Sequence, residues 1–238
     1  MENSRNEICF IGGISASGKT TAAQSLESME YCHSRIHEAM FHIAEQLGIP
    51  REEVSQNWQR LSVLASEYFA TVVRTRGPVV CDVHFSIQPR LDTAFALGEP
   101  FEERFDADME PYQQGLDHTF VDALIRNDAL IRFVLLQASP QDILKRRIAR
   151  LREGQRQRSL SLRSIVLEQI AERYFFVEAI QRVSINHVVS SLIIDNPNPL
   201  IDGLLSRLVD FVSGKIPPGD LIHQIRPEFM YVVNTMTK

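Results

Sequence analysis

The sequence predicts an α/β fold, a parallel sheet covered by helices on both faces. Two observations carry this expectation. Short apolar, β-rich runs alternate with longer segments of helical period along the chain. The first run, EICFI (residues 7–11), passes straight into GGISASGKTT (12–21), so strand, glycine-rich turn and helix follow one another without a linker. The 238 residues suffice for one such domain with a sizeable core. No repeat, low-complexity stretch or composition shift marks a boundary, so one domain is expected over residues 1–215, with a tail over 216–238.

The elements follow in order. Residues 7–12 read as a buried parallel strand and about 18–29 as a helix. SRIHEAMFHIAEQLG (34–48) puts Ile36, Met40, Ile43 and Leu47 on one helical face, and Gly48-Ile49-Pro50 ends it. A second long helix is expected over about 51–75, stopped by Gly77-Pro78, and PVVCDVHF (78–85) reads as a strand. Residues 98–118 are acidic and rich in glycine and proline, which predicts an inserted loop or short helical excursion. LIRFVLLQAS (130–139) is the next strand. Ser139-Pro140-Gln141-Asp142 then opens a helix, with serine as cap, proline at the first helical position and aspartate near the positive end. GQRQRS (154–159) interrupts. A helix over about 160–183, a strand at SSLIID (190–195) and a helix at PLIDGLLSRLVDFVSG (199–214) complete the pattern.

Net charge is −5, so any phosphate-binding surface has to be a local patch. The three cysteines, Cys9, Cys32 and Cys81, show neither CxxC nor metal-ligand spacing, and two lie in strand-like runs. The short polar start MENSRNE lacks the apolar stretch of a secretory signal, and no run approaches the ~20 residues of a membrane span. A reducing, cytoplasmic setting is the expectation.

Gly13-Ile14-Ser15-Ala16-Ser17-Gly18-Lys19-Thr20 fits G-x-x-x-x-G-K-[ST], the P-loop, without mismatch. Glycines let successive backbone N–H groups turn inward toward phosphate oxygens, and the helix starting near Gly18 adds its positive end. Lys19 is expected on the β/γ-phosphates and Thr20 on Mg²⁺. The D-x-x-G and N-K-x-D strings of a GTPase switch and the L-S-G-G-Q of an ABC-type ATPase are absent, which favours a small kinase.

Asp82 ends the run Val79-Val80-Cys81 and is expected to face the loop, there to hold Mg²⁺ or orient an acceptor oxygen; Asp195 is the rival carboxylate. His84, two residues on, points the same way along the strand and is a candidate on the acceptor side. Lys145, Arg146, Arg147, Arg150, Arg152, Arg156, Arg158 and Arg163 form a cationic run opposed only by Glu153. As a closing flap such a run would neutralise charge developing on a transferred phosphoryl group, and the members nearest the break, Arg152, Arg156 and Arg158, are the candidates.

Beyond the loop, AMFHIAEQLGI, VVCDVHFSI, LLQASPQDILKRRI and SSLIIDN occur in an order that resembles the archaeal-type adenylate kinases and the wider nucleoside monophosphate kinase group, over about residues 7–212. The resemblance implies a P-loop NTPase three-layer α/β/α fold with a five-stranded parallel sheet of order 2-3-1-4-5. It implies a helical acceptor region at about 35–76, the insertion at about 98–120 and a mobile lid at about 145–165. It implies ATP with Mg²⁺ as donor, residues Gly13 to Thr21 on its phosphates, and Asp82 as the aspartate of a D-x-H strand. Arg156 and Arg158 would be lid arginines, and Arg60, in QNWQRL, would sit on the acceptor. His37-Glu38 stands where relatives often carry Gly-Asp, and the arginine-rich acceptor segment is reduced to SQNWQRL, which leaves the acceptor open.

The functional expectation is an ATP-dependent small-molecule kinase. The alternatives are an ATP-binding regulatory module without rapid turnover, and a nucleic-acid end kinase, which the scarcity of aromatic residues among the cations disfavours.

Overall fold

The computed structural model describes residues 6–54, 56–87, 112–153, 160–185, 187, 189–195 and 202–215. Seven strands are described: β1 (Glu7–Gly12), β2 (Cys32–His33), β3 (Val79–Asp82), β4 (Ser86–Ile87), β5 (Gln113–Gln114), β6 (Leu130–Gln137) and β7 (Val189–Asp195). The helices among them are α1 (Lys19–Glu27), α2 (Ile36–Gln46), α3 (Trp58–Arg76), α4 (His118–Arg126), α5 (Pro140–Arg152), α6 (Leu162–Ser184) and α7 (Asp202–Val212).

Five strands form one parallel sheet in the order β2-β3-β1-β6-β7. Counted within the sheet this is the expected 2-3-1-4-5; the chain numbering shifts because β4 and β5 pair antiparallel in a separate short ribbon that the sequence reading did not anticipate.

Strand alternation assigns each face its own core. Ile8, Phe10, Val79, Cys81, Ile131, Phe133 and Leu135 pack with α2, α3, α4 and α6 on one side. Cys9, Ile11, Val80, Val134, Leu136 and Ile194 pack with α1 and with Leu208 and Phe211 of α7 on the other. Phe10 stacks on Phe133 with ring centroids 5.5 Å apart, and burial of each such ring contributes roughly 1.5–3 kcal/mol. Apart from Glu7 and Arg132, which pair with each other at 2.8 Å, and the terminal Gln137, β1 and β6 carry no polar side chain, the pattern of a sheet covered on two faces. Buried Ile14, Ile143 and Ile165 form a smaller cluster that ties the glycine loop to α5 and α6.

Several boundaries differ from expectation. The helix expected over about 51–75 divides into a single 3-10 turn, Arg51–Glu53, and α3, which starts at Trp58. The irregular stretch proves to contain β5 and to lead into α4, capped by the Asp117 side chain accepting from the Thr119 amide. The cap of α5 is as expected: Ser139 Oγ accepts from the Asp142 amide at 3.1 Å, with Pro140 in the first turn. Residues 88–111, which include most of the insertion expected at about 98–120, lie outside the described residues, as do the break at 154–159 and the tail from residue 216. No described helix is long and apolar enough to cross a membrane.

Candidate active site

The glycine loop leaves β1 at the carboxyl edge of the sheet and takes left-handed backbone at three positions. Gly13, Ala16 and Gly18 have φ of +137°, +74° and +104°. A Cβ on Gly13 would stand 2.5 Å from the Leu136 carbonyl oxygen and 2.5 Å from Ser17 Oγ, so glycine is required there on two counts. Ala16 holds the left-handed region without that excuse, at a cost of about 1–2 kcal/mol, which marks the tip as strained. The Ser17 amide closes the turn on the Ile14 carbonyl at 3.1 Å.

Helix α1 begins directly behind, with Gly18 as its cap and no acidic residue in its first turn. The positive end of the helix thus meets the loop with no carboxylate on its own first turn. Lys19 is buried, at 9% exposure, and its ammonium donates to the Gly13 carbonyl and, at 3.3 Å, to the Ile14 carbonyl. A buried ammonium held on two carbonyls of the loop it follows places a positive charge at that loop. Thr20 and Thr21 are exposed in the same turn, and Ser17 is buried beneath the loop.

Asp82 ends β3, in register with Ile11 of β1, so the parallel pairing places it two residues of strand from the start of the loop. Two side chains absent from the sequence reading surround it. His33 Nε2 lies 3.0 Å and Arg35 Nε 3.3 Å from the same Asp82 oxygen, Oδ1, and His33 Nδ1 lies 2.9 Å from Glu27. Burial alone would raise the Asp82 carboxyl; the His33 hydrogen bond and the Arg35 charge outweigh it and hold the group below its ordinary value. Its second oxygen, Oδ2, takes no part in these contacts.

His84 is half-buried on the segment following β3. Arg60 is exposed in the first turn of α3, where Trp58 donates to Asp117 at 3.0 Å. Arg152 is exposed at the end of α5, while Arg156 and Arg158 lie outside the described residues. Two earlier members of the cationic run reach the loop instead. Arg146 donates to the Ala16 carbonyl at 3.1 Å. Arg147, 4% exposed, pairs with Glu168 of α6 at 2.5 Å and lies 3.5 Å from the Ser15 carbonyl. The helical period could have separated these from the solvated members, because Ile143 and Arg147 fall on one buried face.

The reading also missed Glu172. This α6 carboxylate, 2% exposed, accepts from the amides of Gly13 (2.8 Å), Phe85 (2.9 Å) and Ser86 (2.8 Å) and from Ser86 Oγ (2.8 Å).

Among the described residues no cluster of three metal-ligating side chains occurs. The residues present nonetheless fit a metal–nucleotide complex: a buried ammonium, a glycine-shaped anion cradle, and a hydroxyl and a carboxylate at its rim.

Neither a protein-family model nor a curated protein matches the chain. Solved structures with a similar chain path include a protein from Chloroflexus aurantiacus (15% identity, 90% of this chain and 99% of that one, TM-score 0.49). A tunicamycin resistance protein from Deinococcus radiodurans is similar over 87% and 96% of the two chains, at 13% identity and TM-score 0.48. A shikimate kinase from Acinetobacter baumannii is similar over 89% and 95%, at 10% identity and TM-score 0.46.

Proposed function

We propose that the chain is an ATP-dependent small-molecule kinase. The observation that carries this reading is the buried Lys19 ammonium folded onto the carbonyls of a loop with left-handed backbone at Gly13, Ala16 and Gly18. Residues Ile14 to Thr21 would hold the triphosphate, with Lys19 on its β- and γ-groups. Mg²⁺, arriving with the nucleotide, would meet the Thr20 hydroxyl and Asp82. The chemistry supplied by the ion at Thr20 and Asp82 would be neutralisation of phosphate charge.

On the acceptor side, Asp82 is kept ionised by His33 and Arg35 through Oδ1, which leaves Oδ2 to orient an acceptor hydroxyl or the metal's water shell. Arg146 and Arg147 fix the tip of the loop from α5, and Arg152 at the end of that helix, with Arg156 and Arg158, would act as lid arginines over the phosphates. Arg60 and His84 would line the acceptor side. The inward turn of Arg146 and Arg147 takes two cations from any surface that would track a polynucleotide, which weighs against a nucleic-acid end kinase.

The test is ADP release from ATP–Mg²⁺ against a panel of nucleoside monophosphates, nucleosides, sugars and organic acids, beside a Lys19→Ala control. At least one acceptor should raise ADP release in the native chain, and the control should lose about 10²–10³-fold of it. A panel in which no acceptor separates the native chain from the control would leave the regulatory module as the better reading.

A further inference from the structure

We infer that Glu172 is a positioning residue that holds the acceptor-side segment Phe85–Ser86 in register with the first amide of the phosphate loop, so that ordering of the loop by a nucleotide is transmitted to that segment. The inference rests on the kinase reading for what is transmitted, and on geometry for the connection.

Glu172 belongs to neither segment. It is 159 residues from Gly13 and more than 80 from Ser86, yet its two oxygens take donors from both. Oε1 accepts from the Gly13 and Phe85 amides, and Oε2 from the Ser86 amide and hydroxyl. All four partners donate, so the site suits an ionised carboxylate, which only accepts. A glutamine would turn two N–H donors toward these donors, and a protonated acid would turn one. Four charge-assisted hydrogen bonds offset the cost of isolating the anion.

The packing around this carboxylate leaves little slack. The Phe85 ring lies so close to the loop's approach that a Cβ on Gly12 would stand 2.1 Å from it. The same ring meets Phe133 and Phe176 edge-on, with centroids 6.0 and 5.2 Å apart. Behind it, the Gly115 amide donates to the Phe85 carbonyl at 2.7 Å, and Ser86 pairs with Gln114. The stretch from Asp82 to Ser86, which carries His84, is therefore pinned at one end by His33 and Arg35 and at the other by Glu172. Gly13, whose amide is spent on Glu172, contributes no donor to the cradle; it is the joint through which loop and segment share one anchor.

Amide hydrogen exchange with and without Mg²⁺ and a non-hydrolysable ATP analogue tests this without an acceptor. In the native chain the analogue should slow exchange over residues 14–20 and, by about tenfold, over residues 83–87. In Glu172→Gln the slowing over 14–20 should persist and that over 83–87 should vanish. Slowing over 14–20 alone in the native chain overturns the inference and leaves nucleotide binding standing. Slowing of both segments in Glu172→Gln also overturns it. No slowing anywhere in the native chain removes the nucleotide reading and the inference with it. Should Glu172→Gln fail to fold, Ser86→Ala serves, since it removes one donor and keeps the main-chain bonds. It should lessen the effect over 83–87 by about two- to threefold with the loop unaffected, and an undiminished effect overturns the proposal.

Discussion

His33 bridges two carboxylates: its Nε2 stands 3.0 Å from Asp82 Oδ1 and its Nδ1 2.9 Å from Glu27. The imidazole and Arg35 together keep Asp82 ionised to a lower pH than an ordinary aspartate. In the unfolded chain the group takes its proton near its ordinary value of 3.8, and in the folded chain only below that. The stabilisation is therefore complete above 3.8 and is lost as pH falls through the depressed folded value. Asp82→Asn should cost about 1 kcal/mol or more at neutral pH, and the gap to the native chain should close in strong acid. Urea unfolding at a series of pH values measures it; equal stability at pH 7 would contradict the account.

Two substitutions in the glycine loop should behave oppositely. Gly13→Ala meets both a φ of +137° and contacts at 2.5 Å, so it should lose about 2 kcal/mol or more. Ala16→Gly relieves a strained left-handed alanine but frees the unfolded chain, so it should lie within about 0.5 kcal/mol of native. Thermal melting of the two side by side decides it.

Arg147 and Glu168 form a pair in which the arginine side chain is 2% exposed. Arg147→Met alone strands the Glu168 carboxylate and should cost about 3–5 kcal/mol. Adding Glu168→Leu should restore most of the stability, since no buried charge then lacks a partner. Nucleotide affinity should stay weakened in the double variant, because the loop tip keeps the Arg146 contact but has lost that of Arg147. A double-mutant cycle in melting, read with nucleotide titration, separates the two effects.

Partial desolvation lowers the pKa of His37, an otherwise exposed residue of α2, from its ordinary 6.5. The unfolded chain thus gains a proton first as pH falls, and stability from this group is complete above 6.5 and fades below it. His37→Gln loses the edge contact to Phe41, so it should be less stable throughout. Its stability should nevertheless fall less steeply than that of the native chain between about pH 5 and 7. Parallel slopes would assign no linkage to His37.

The sequence made the long elements legible because their period and punctuation are local. β1, β6 and the Ser139-Pro140 start of α5 can each be read from a window of a few residues. β2 could not, since Cys32–His33 is too short to show any period. α4 was legible in principle, with Asp117 as cap and Phe120, Val121 and Leu124 on one face, but its place beside an acidic irregular stretch hid it. The phosphate loop and Asp82 were visible as motif and strand end. Glu172 and His33 were not, because each acquires its meaning from partners brought near by the sheet order rather than by chain proximity.

Cys9 and Cys81 sit fully buried in the two adjacent strands that lead to the phosphate loop and to Asp82, and burial pushes both thiols up, Cys9 to about 12. Cys32 is only half-buried. The native chain thereby carries its own clock: a maleimide should tag one sulfur quickly, and the other two only when the central strands come apart. Counting tags against time would read out how often the floor beneath the loop opens, and a fluorophore could be placed at the sheet edge without replacing any cysteine.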